Sequence, residues 1–170
     1  FNKIPSADSE VRSGKWDREG NRGIELDGKT VGLVGFGNNG QAFAKKLSGF
    51  DVKVLAYDKY KTDYGNSFTS EASLMEIYNE ADIVSFHIPQ HEETIYFAND
   101  NFFNAFRKNI YLINLSRGKV VETAALVQAM KNGKVLGACL DVLEYEKTSF
   151  ESFFEQELSP AFKYLMESQH

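Results

Sequence analysis

Residues 31–40 read Val31-Gly32-Leu33-Val34-Gly35-Phe36-Gly37-Asn38-Asn39-Gly40, and the fold turns on them. A short apolar run ends at Gly35, three glycines follow in a G-x-G-x-x-G spacing, and a helical pattern begins at residue 39. Strand, glycine turn and helix in that order form a dinucleotide-binding fingerprint. The first glycine, Gly35, permits the tight turn. Gly37 lets backbone approach a pyrophosphate, and Gly40 lets the helix pack close to the strand. The helix N-terminus then offers free N–H groups to the anion. Asp58 ends the next apolar run, 18 residues beyond Gly40, where an acid would accept hydrogen bonds from the adenosine ribose hydroxyls. A 2′-phosphate there would meet like charge, which favours NAD over NADP. Lys59 and Lys61 keep the other choice open, because either can swing toward a phosphate. The competing reading, a glycine turn beside a surface Asp, leaves all three contexts as coincidence.

Outward from this stretch, apolar runs rich in β-branched residues alternate with helical patterns. The runs cover 31–35, 52–57, 82–87, 109–115 and 135–140. Most are continuously apolar, as strands covered on both faces must be. Helices are predicted over 39–48, 71–79, 100–106 and 123–131, the last opened by Glu122 or Thr123. Gly49 and Gly133 stand where a left-handed C-cap is wanted. Alternation at this spacing implies right-handed crossovers and an α/β fold with a doubly wound parallel sheet. Residues 1–28 show little periodicity beyond a short helix at 5–12. Residues 148–168 carry Phe150, Phe153, Phe154, Phe162 and Tyr164 at helical spacing, broken at Pro160, and read as a helical hairpin packed on the domain. The expected division is a crossover segment over 1–28, a cofactor-binding domain over 29–147 and a helical segment over 148–170.

Composition excludes several classes. The chain has 170 residues, 42% of them hydrophobic and 25% charged, with a formal net charge of −5. An acidic chain without a basic run does not offer a nucleic-acid-binding surface. No apolar stretch approaches the roughly 20 residues of a membrane helix. Cys139 is the single cysteine, so no intrachain disulfide forms and a reducing, cytoplasmic setting is expected. The start at Phe1 has neither an initiator Met nor a signal pattern, so the chain is expected to be part of a longer protein, with most of a substrate domain outside it.

In a doubly wound sheet, ligands bind beyond the carboxyl ends of the strands. Each run here ends in polar or glycine-rich residues: the glycine loop, Asp58, His87-Ile88-Pro89, Ser116-Arg117-Gly118 and Asp141. All five are expected at one rim. His87, closing an apolar strand, takes a cofactor-adjacent place without an acid–base role, and Pro89 fixes the turn after it. Arg117 either pairs with a nearby carboxylate or presents its fork to a small substrate carboxylate. The rim position favours the substrate, and Gly118 would let that substrate approach the backbone.

Taken together, Gly35–Gly40, Asp58, His87-Ile88-Pro89 with Thr94, Asn114-Leu115-Ser116-Arg117-Gly118 and Asp141–Glu146 resemble the NAD-dependent D-2-hydroxyacid dehydrogenases over roughly residues 10–147. Within that family the motifs resemble most those of the D-3-phosphoglycerate dehydrogenases. The resemblance implies NAD as cofactor and a small 2-hydroxy or 2-oxo acid, such as 3-phosphoglycerate, as substrate. It places Arg117 on the substrate's carboxylate and carbonyl, and Asn38 and Asn39 beside the pyrophosphate. His87, Ile88, Pro89 and Thr94 border the cofactor groove. Leu115 and Ser116 lie on the nicotinamide side, and Asp141 holds the carboxamide. Glu146 would pair with a histidine general acid that protonates the carbonyl oxygen as hydride arrives. A homodimer through residues 11–28 is a further expectation, and no metal is called for.

The sequence also departs from the family. Asn39 stands where an apolar residue is usual, which would loosen helix–strand packing. Lys147 replaces the proline after the glutamate, and Arg107-Lys108-Asn109 replaces a Pro-Gly turn. His170 lies 24 residues past Glu146 but closes a helical pattern over 161–168, so the general acid is expected outside this chain. Two functions from different classes remain: the coenzyme domain of a dehydrogenase, inactive by itself, and an NAD-responsive binding protein without chemistry. The presence of both Arg117 and Glu146 favours the enzyme.

Overall fold

The computed structural model describes residues 3–145 and 159–168. Six strands form one all-parallel sheet: β1 (Thr30–Val34), β2 (Lys53–Tyr57), β3 (Ser70–Glu71), β4 (Ile83–Phe86), β5 (Ile110–Asn114) and β6 (Val135–Leu140). Their order across the sheet is β3-β2-β1-β4-β5-β6. Around it lie α1 (Ile4–Arg12), α2 (Asn38–Leu47), α3 (Leu74–Glu80), α4 (Asp100–Ala105), α5 (Thr123–Lys131) and α6 (Pro160–Glu167).

Burial follows position in the sheet. β1 and β4 lie at its centre and are buried at every residue. β6, at an edge, is buried only at Val135 and Gly137. Successive side chains on a strand point to opposite faces, and two apolar layers result. Val34, Leu55, Val84, Phe86 and Leu112 pack beneath α3, α4 and α5, with Ile77, Phe102 and Leu126 as the helical partners. Val31, Leu33, Val54 and Ala56 pack beneath α2 through Ala44 and Leu47. Helices on both faces are what a doubly wound sheet requires. A Cβ on Gly32 would come within 2.7 Å of Ile77 Cγ2, so glycine there lets α3 close onto β1.

Local chemistry sets the helix ends. Ser73 and Glu76 form a reciprocal capping box at α3, and Asn99 Oδ1 accepts from the Phe102 N–H at α4. Gly133 takes the left-handed conformation past α5, with φ 72°. Gly49 does not: α2 ends through Ser48 in a right-handed conformation, so the left-handed cap expected at Gly49 is not formed. Pro160 opens α6. It occupies the first turn of α6, where its missing N–H costs nothing, behind an N-capping Ser159. Residues 146–158, including Phe150, Phe153 and Phe154 of the expected hairpin, lie outside the described residues, as does His170. Among the described residues no helix is long and apolar enough to cross a membrane.

The strand order places the functional rim. From β1 the chain moves one way along the sheet to β2 and β3, and it returns to the other side of β1 with β4. The loops after β1 and β4 therefore diverge, and the crevice between their carboxyl ends is the topological switch point where ligands of such sheets bind.

Candidate functional site: a two-part groove at the sheet's switch point

Each glycine of the loop after β1 has its own steric cause. Gly35 sits at φ 96°, and a Cβ there would come within 2.8 Å of the His87 carbonyl and of Ile88 Cγ2. A Cβ on Gly40 would lie 2.3 Å from Gly35 O, so only glycine lets α2 start this close to β1. On Gly37 a Cβ would meet nothing within 4 Å. The space over Gly37 is open, and no side chain caps α2 beneath it. Free N–H groups of a helix start facing open space suit a phosphate. Asn38 and Asn39 are exposed in this first turn. Because Asn39 points outward, it does not loosen the helix–strand packing as expected from its polarity.

Asp58 follows β2 and faces the loop. Its Oδ2 accepts from the Phe36 N–H at 2.8 Å, and its Oδ1 accepts from the N–H groups of Tyr60 at 3.0 Å and Lys61 at 3.2 Å. Partial burial pushes the carboxyl pKa up, but these donors and the Lys61 ammonium outweigh it and hold the pKa below the usual range. Asp58 is thus an anion. Both nearby lysines are engaged: Lys61 Nζ donates to Phe36 O at 2.8 Å, and Lys59 pairs with Glu93.

His87 extends β4, its N–H donating to Val34 O at 2.8 Å. Its ring packs on Phe43, with centroids 5.3 Å apart, and its Nε2 lies 3.0 Å from the Ser85 hydroxyl. Burial lowers its pKa to about 4, so the ring is a neutral imidazole at pH 7 and not the imidazolium a general acid needs. This fixes a stability signature. Above pH 6.5 neither folded nor unfolded chain protonates the ring; between pH 6.5 and 4 the unfolded chain does and the folded one does not. Stability therefore drops as the pH is lowered through that window, by about 2 kcal/mol at pH 5 from this one group. Urea unfolding of His87→Gln at pH 7 and pH 5 is expected to lose that part of the slope; an unchanged slope would assign it elsewhere.

Thr94 secures the next turn: its hydroxyl donates to Pro89 O at 2.6 Å and accepts from the His91 N–H at 2.9 Å. At the end of β5 the fully buried Asn114 organises the arginine loop. Its Oδ1 accepts from Ser116 N at 3.1 Å and Ser116 Oγ at 2.8 Å, and its Nδ2 donates to Arg117 O at 3.0 Å. These bonds turn the chain so that Leu115 and Arg117 emerge into solvent while Ser116 stays inside. A buried polar residue closing an apolar strand must find partners, and that is the signal by which Asn114 is legible. Arg117 Nη1 donates to Ser116 O at 2.7 Å. Among the described residues no carboxylate pairs with Arg117.

Gly118 has a different purpose from the one expected. A Cβ there would come within 1.9 Å of Leu143 O and 2.7 Å of Glu144 N. The backbone that approaches Gly118 is the chain's own.

These residues line two adjoining clefts. The larger, about 340 Å³, is walled by Gly35, Asp58, Tyr60, His91, Thr94 and Phe97 among others. The smaller, about 280 Å³, is walled by Asn38, Asn39, Leu115, Ser116 and Arg117. Gly37, His87, Ile88 and Pro89 border both, so the two form one groove that passes the start of α2. Gly40 acts beneath the groove through packing. Asp141 is exposed past β6, its N–H bonded to Asn114 O at 3.0 Å, and lines neither cleft. All five strand ends thus share one rim, as the parallel register requires, and four of them line the groove. Glu146 and Lys147 lie outside the described residues. Among those described, no group of three His, Cys, Asp or Glu is placed to hold a metal ion.

The groove has an acid at one end, helix N–H groups along it and, at the other end, an arginine that no carboxylate pairs among the described residues, so it suits an extended anionic ligand. A family model described as "D-isomer specific 2-hydroxyacid dehydrogenase, NAD binding domain" matches residues 1–159. A glyoxylate reductase of Thermofilum pendens is 46% identical over 85% of this chain and 44% of its own length. A D-3-phosphoglycerate dehydrogenase of Archaeoglobus fulgidus is 37% identical over 86% of this chain and 28% of its own. Among solved structures, a D-lactate dehydrogenase from Aquifex aeolicus complexed with NAD and lactic acid superposes with a TM-score of 0.86 at 30% identity, covering 98% of this chain and 51% of that one. The chain spans about half the length of most of the relatives it matches, or less.

Proposed function

The chain belongs to the D-isomer-specific 2-hydroxyacid dehydrogenase family as its NAD-binding domain, and we propose that it serves a whole enzyme that moves hydride between NAD and a small 2-hydroxy acid. The carrying observation is the continuous groove from Asp58 past the start of α2 to Arg117. In this reading the larger cleft takes the adenosine half, with Asp58 accepting from the ribose hydroxyls. Gly35, Gly37, Asn38 and Asn39 border the pyrophosphate. His87, Ile88 and Pro89 form the shared wall, behind which Thr94 braces the turn. Leu115, Ser116 and Asp141 serve the nicotinamide side, and Arg117 orients the substrate's carboxylate so that its carbonyl faces the hydride donor. Glu146 is assigned to the histidine that holds the proton. NAD, when bound, supplies the hydride acceptor.

The substrate is a 2-oxo or 2-hydroxy acid of the size of glyoxylate, lactate or 3-phosphoglycerate, which the relatives' names span. Residues 29–147 are assigned to the cofactor and 1–28 to the crossover from a substrate domain. Val11 and Trp16, the latter 83% exposed, are assigned to a homodimer contact. A cytoplasmic setting completes the reading.

Titration of the chain with NADH tests it. We expect saturable binding, weaker binding of NADPH, and at least a tenfold loss of NADH affinity in Asp58→Ala, the scale of charge-assisted bonds lost. A chain that binds neither dinucleotide refutes the proposal.

A further inference from the structure

We propose that Tyr64 is a positioning residue: it holds the Asp58 carboxylate against the glycine loop and thereby sets the preference for an unmodified adenosine ribose over one carrying a 2′-phosphate. The inference rests on the assignment of the larger cleft to the adenosine half.

Phe36 lies between the first two glycines of the loop, and the segment after β2 grips it at three places. Its N–H donates to Asp58 Oδ2 at 2.8 Å, its carbonyl accepts from Lys61 Nζ at 2.8 Å, and its ring lies 5.0 Å from the ring of Tyr64. Tyr64 also reaches the strand itself. Its hydroxyl donates to Ala56 O at 2.8 Å and accepts from the Asp58 N–H at 3.0 Å. One side chain thus ties the last turn of β2, the backbone of the acid and the glycine loop into a single unit.

The chain bends sharply to deliver it. Asp63, immediately before Tyr64, sits at φ 56°, a left-handed conformation that costs most side chains about 1 kcal/mol and that aspartate tolerates best after glycine and asparagine. The bend has its reason in Tyr64, which it turns back toward Ala56 and Phe36.

The consequence is electrostatic. With its backbone fixed, Asp58 keeps both oxygens on loop N–H donors, and its remaining acceptor capacity lies at the wall of the larger cleft. A ribose hydroxyl is the donor such a fixed anion accepts; a 2′-phosphate is the anion it repels. Of the two nearby cations, Lys59 is paired with Glu93, and Lys61 is held on Phe36 O, where its charge already acts on Asp58. Freeing the Asp58 backbone lets the carboxylate rotate away, which weakens the bond to the diol and the repulsion together.

The experiment is a titration of the full chain, wild type, Tyr64→Phe and Tyr64→Leu, with ADP-ribose, 2′-phospho-ADP-ribose and NADH, alongside thermal melts. Tyr64→Phe keeps the ring on Phe36 and removes both hydroxyl bonds. We expect ADP-ribose and NADH to weaken by the same factor, about tenfold, while 2′-phospho-ADP-ribose is unchanged or tighter, so that the discrimination ratio narrows. Tyr64→Leu is expected to narrow it further. A lowered melting temperature with an unchanged ratio in both variants would make Tyr64 merely structural and overturn the inference. Wild-type chain that binds neither ADP-ribose nor NADH would instead overturn the adenosine assignment on which it rests.

Discussion

Replacing Gly118 by alanine is expected to lower the stability of the fold by roughly 3–4 kcal/mol and to free the loop that presents Arg117. The new Cβ would lie 1.9 Å from Leu143 O and 2.1 Å from Leu143 C, both backbone atoms that cannot rotate aside. The loop after β6 must therefore move, and it carries Glu144. The Glu144 carboxylate accepts from the Thr123 N–H at 2.8 Å, satisfying a free donor at the start of α5, and from the Tyr96 hydroxyl at 2.8 Å. Tyr96 is itself held at φ 53°, its N–H bonded to Lys119 O at 2.8 Å, so the strain it carries depends on the same contacts. One methyl group thus acts on three elements. Urea denaturation measures the loss, and Gly118→Ala within 1 kcal/mol of the parent protein would show that the loop after β6 yields without cost.

The contrast between Gly118 and the glycines of the first loop shows what a sequence discloses. Gly40 meets Gly35 within the same short loop, so the spacing of the two alone conveys their purpose. Gly118 meets Leu143, 25 residues away, and nothing in Ser116-Arg117-Gly118 distinguishes a glycine that admits a ligand from one that admits the chain. The same divide separates Asp58 from Tyr64. An acid at the end of an apolar run is a local pattern; a tyrosine that folds back onto Ala56 and Phe36 depends on the bend at Asp63. β3 carries no signal for a different reason, since Ser70-Glu71 is exposed and too short for an apolar signature. The main strands were legible because β1 and β4 are buried on both faces and leave little room for polar residues. Asn114 is the exception inside such a run: its amide oxygen accepts twice from Ser116 and its nitrogen donates to Arg117 O, which lets a polar side chain sit at the end of a dry strand.

That support for the arginine loop leads to the second large effect. In the whole enzyme, Arg117→Met is expected to reduce kcat/KM for a 2-oxo acid about a thousandfold, with the KM for NADH and the stability of the fold nearly unchanged. The separation of these effects comes from what Arg117 touches. Within the described residues its guanidinium makes one hydrogen bond, to the neighbouring Ser116 O, and meets no carboxylate. An exposed cation without a charged partner contributes little to folding, so its loss is expected to change stability by less than about 0.5 kcal/mol. Its loop does not depend on it either, because Asn114 holds Ser116 and the Arg117 carbonyl through backbone and hydroxyl groups that methionine leaves intact. What the substitution removes is a planar pair of donors at the mouth of the smaller cleft, where a carboxylate would be gripped in one orientation. Lysine keeps the charge but not the fork, so Arg117→Lys is expected to recover only a small part of the loss. Steady-state kinetics of both variants decide it. If Arg117→Met instead melts early or raises the KM for NADH in proportion, the guanidinium belongs to the fold or the cofactor and the substrate carboxylate is held by another residue.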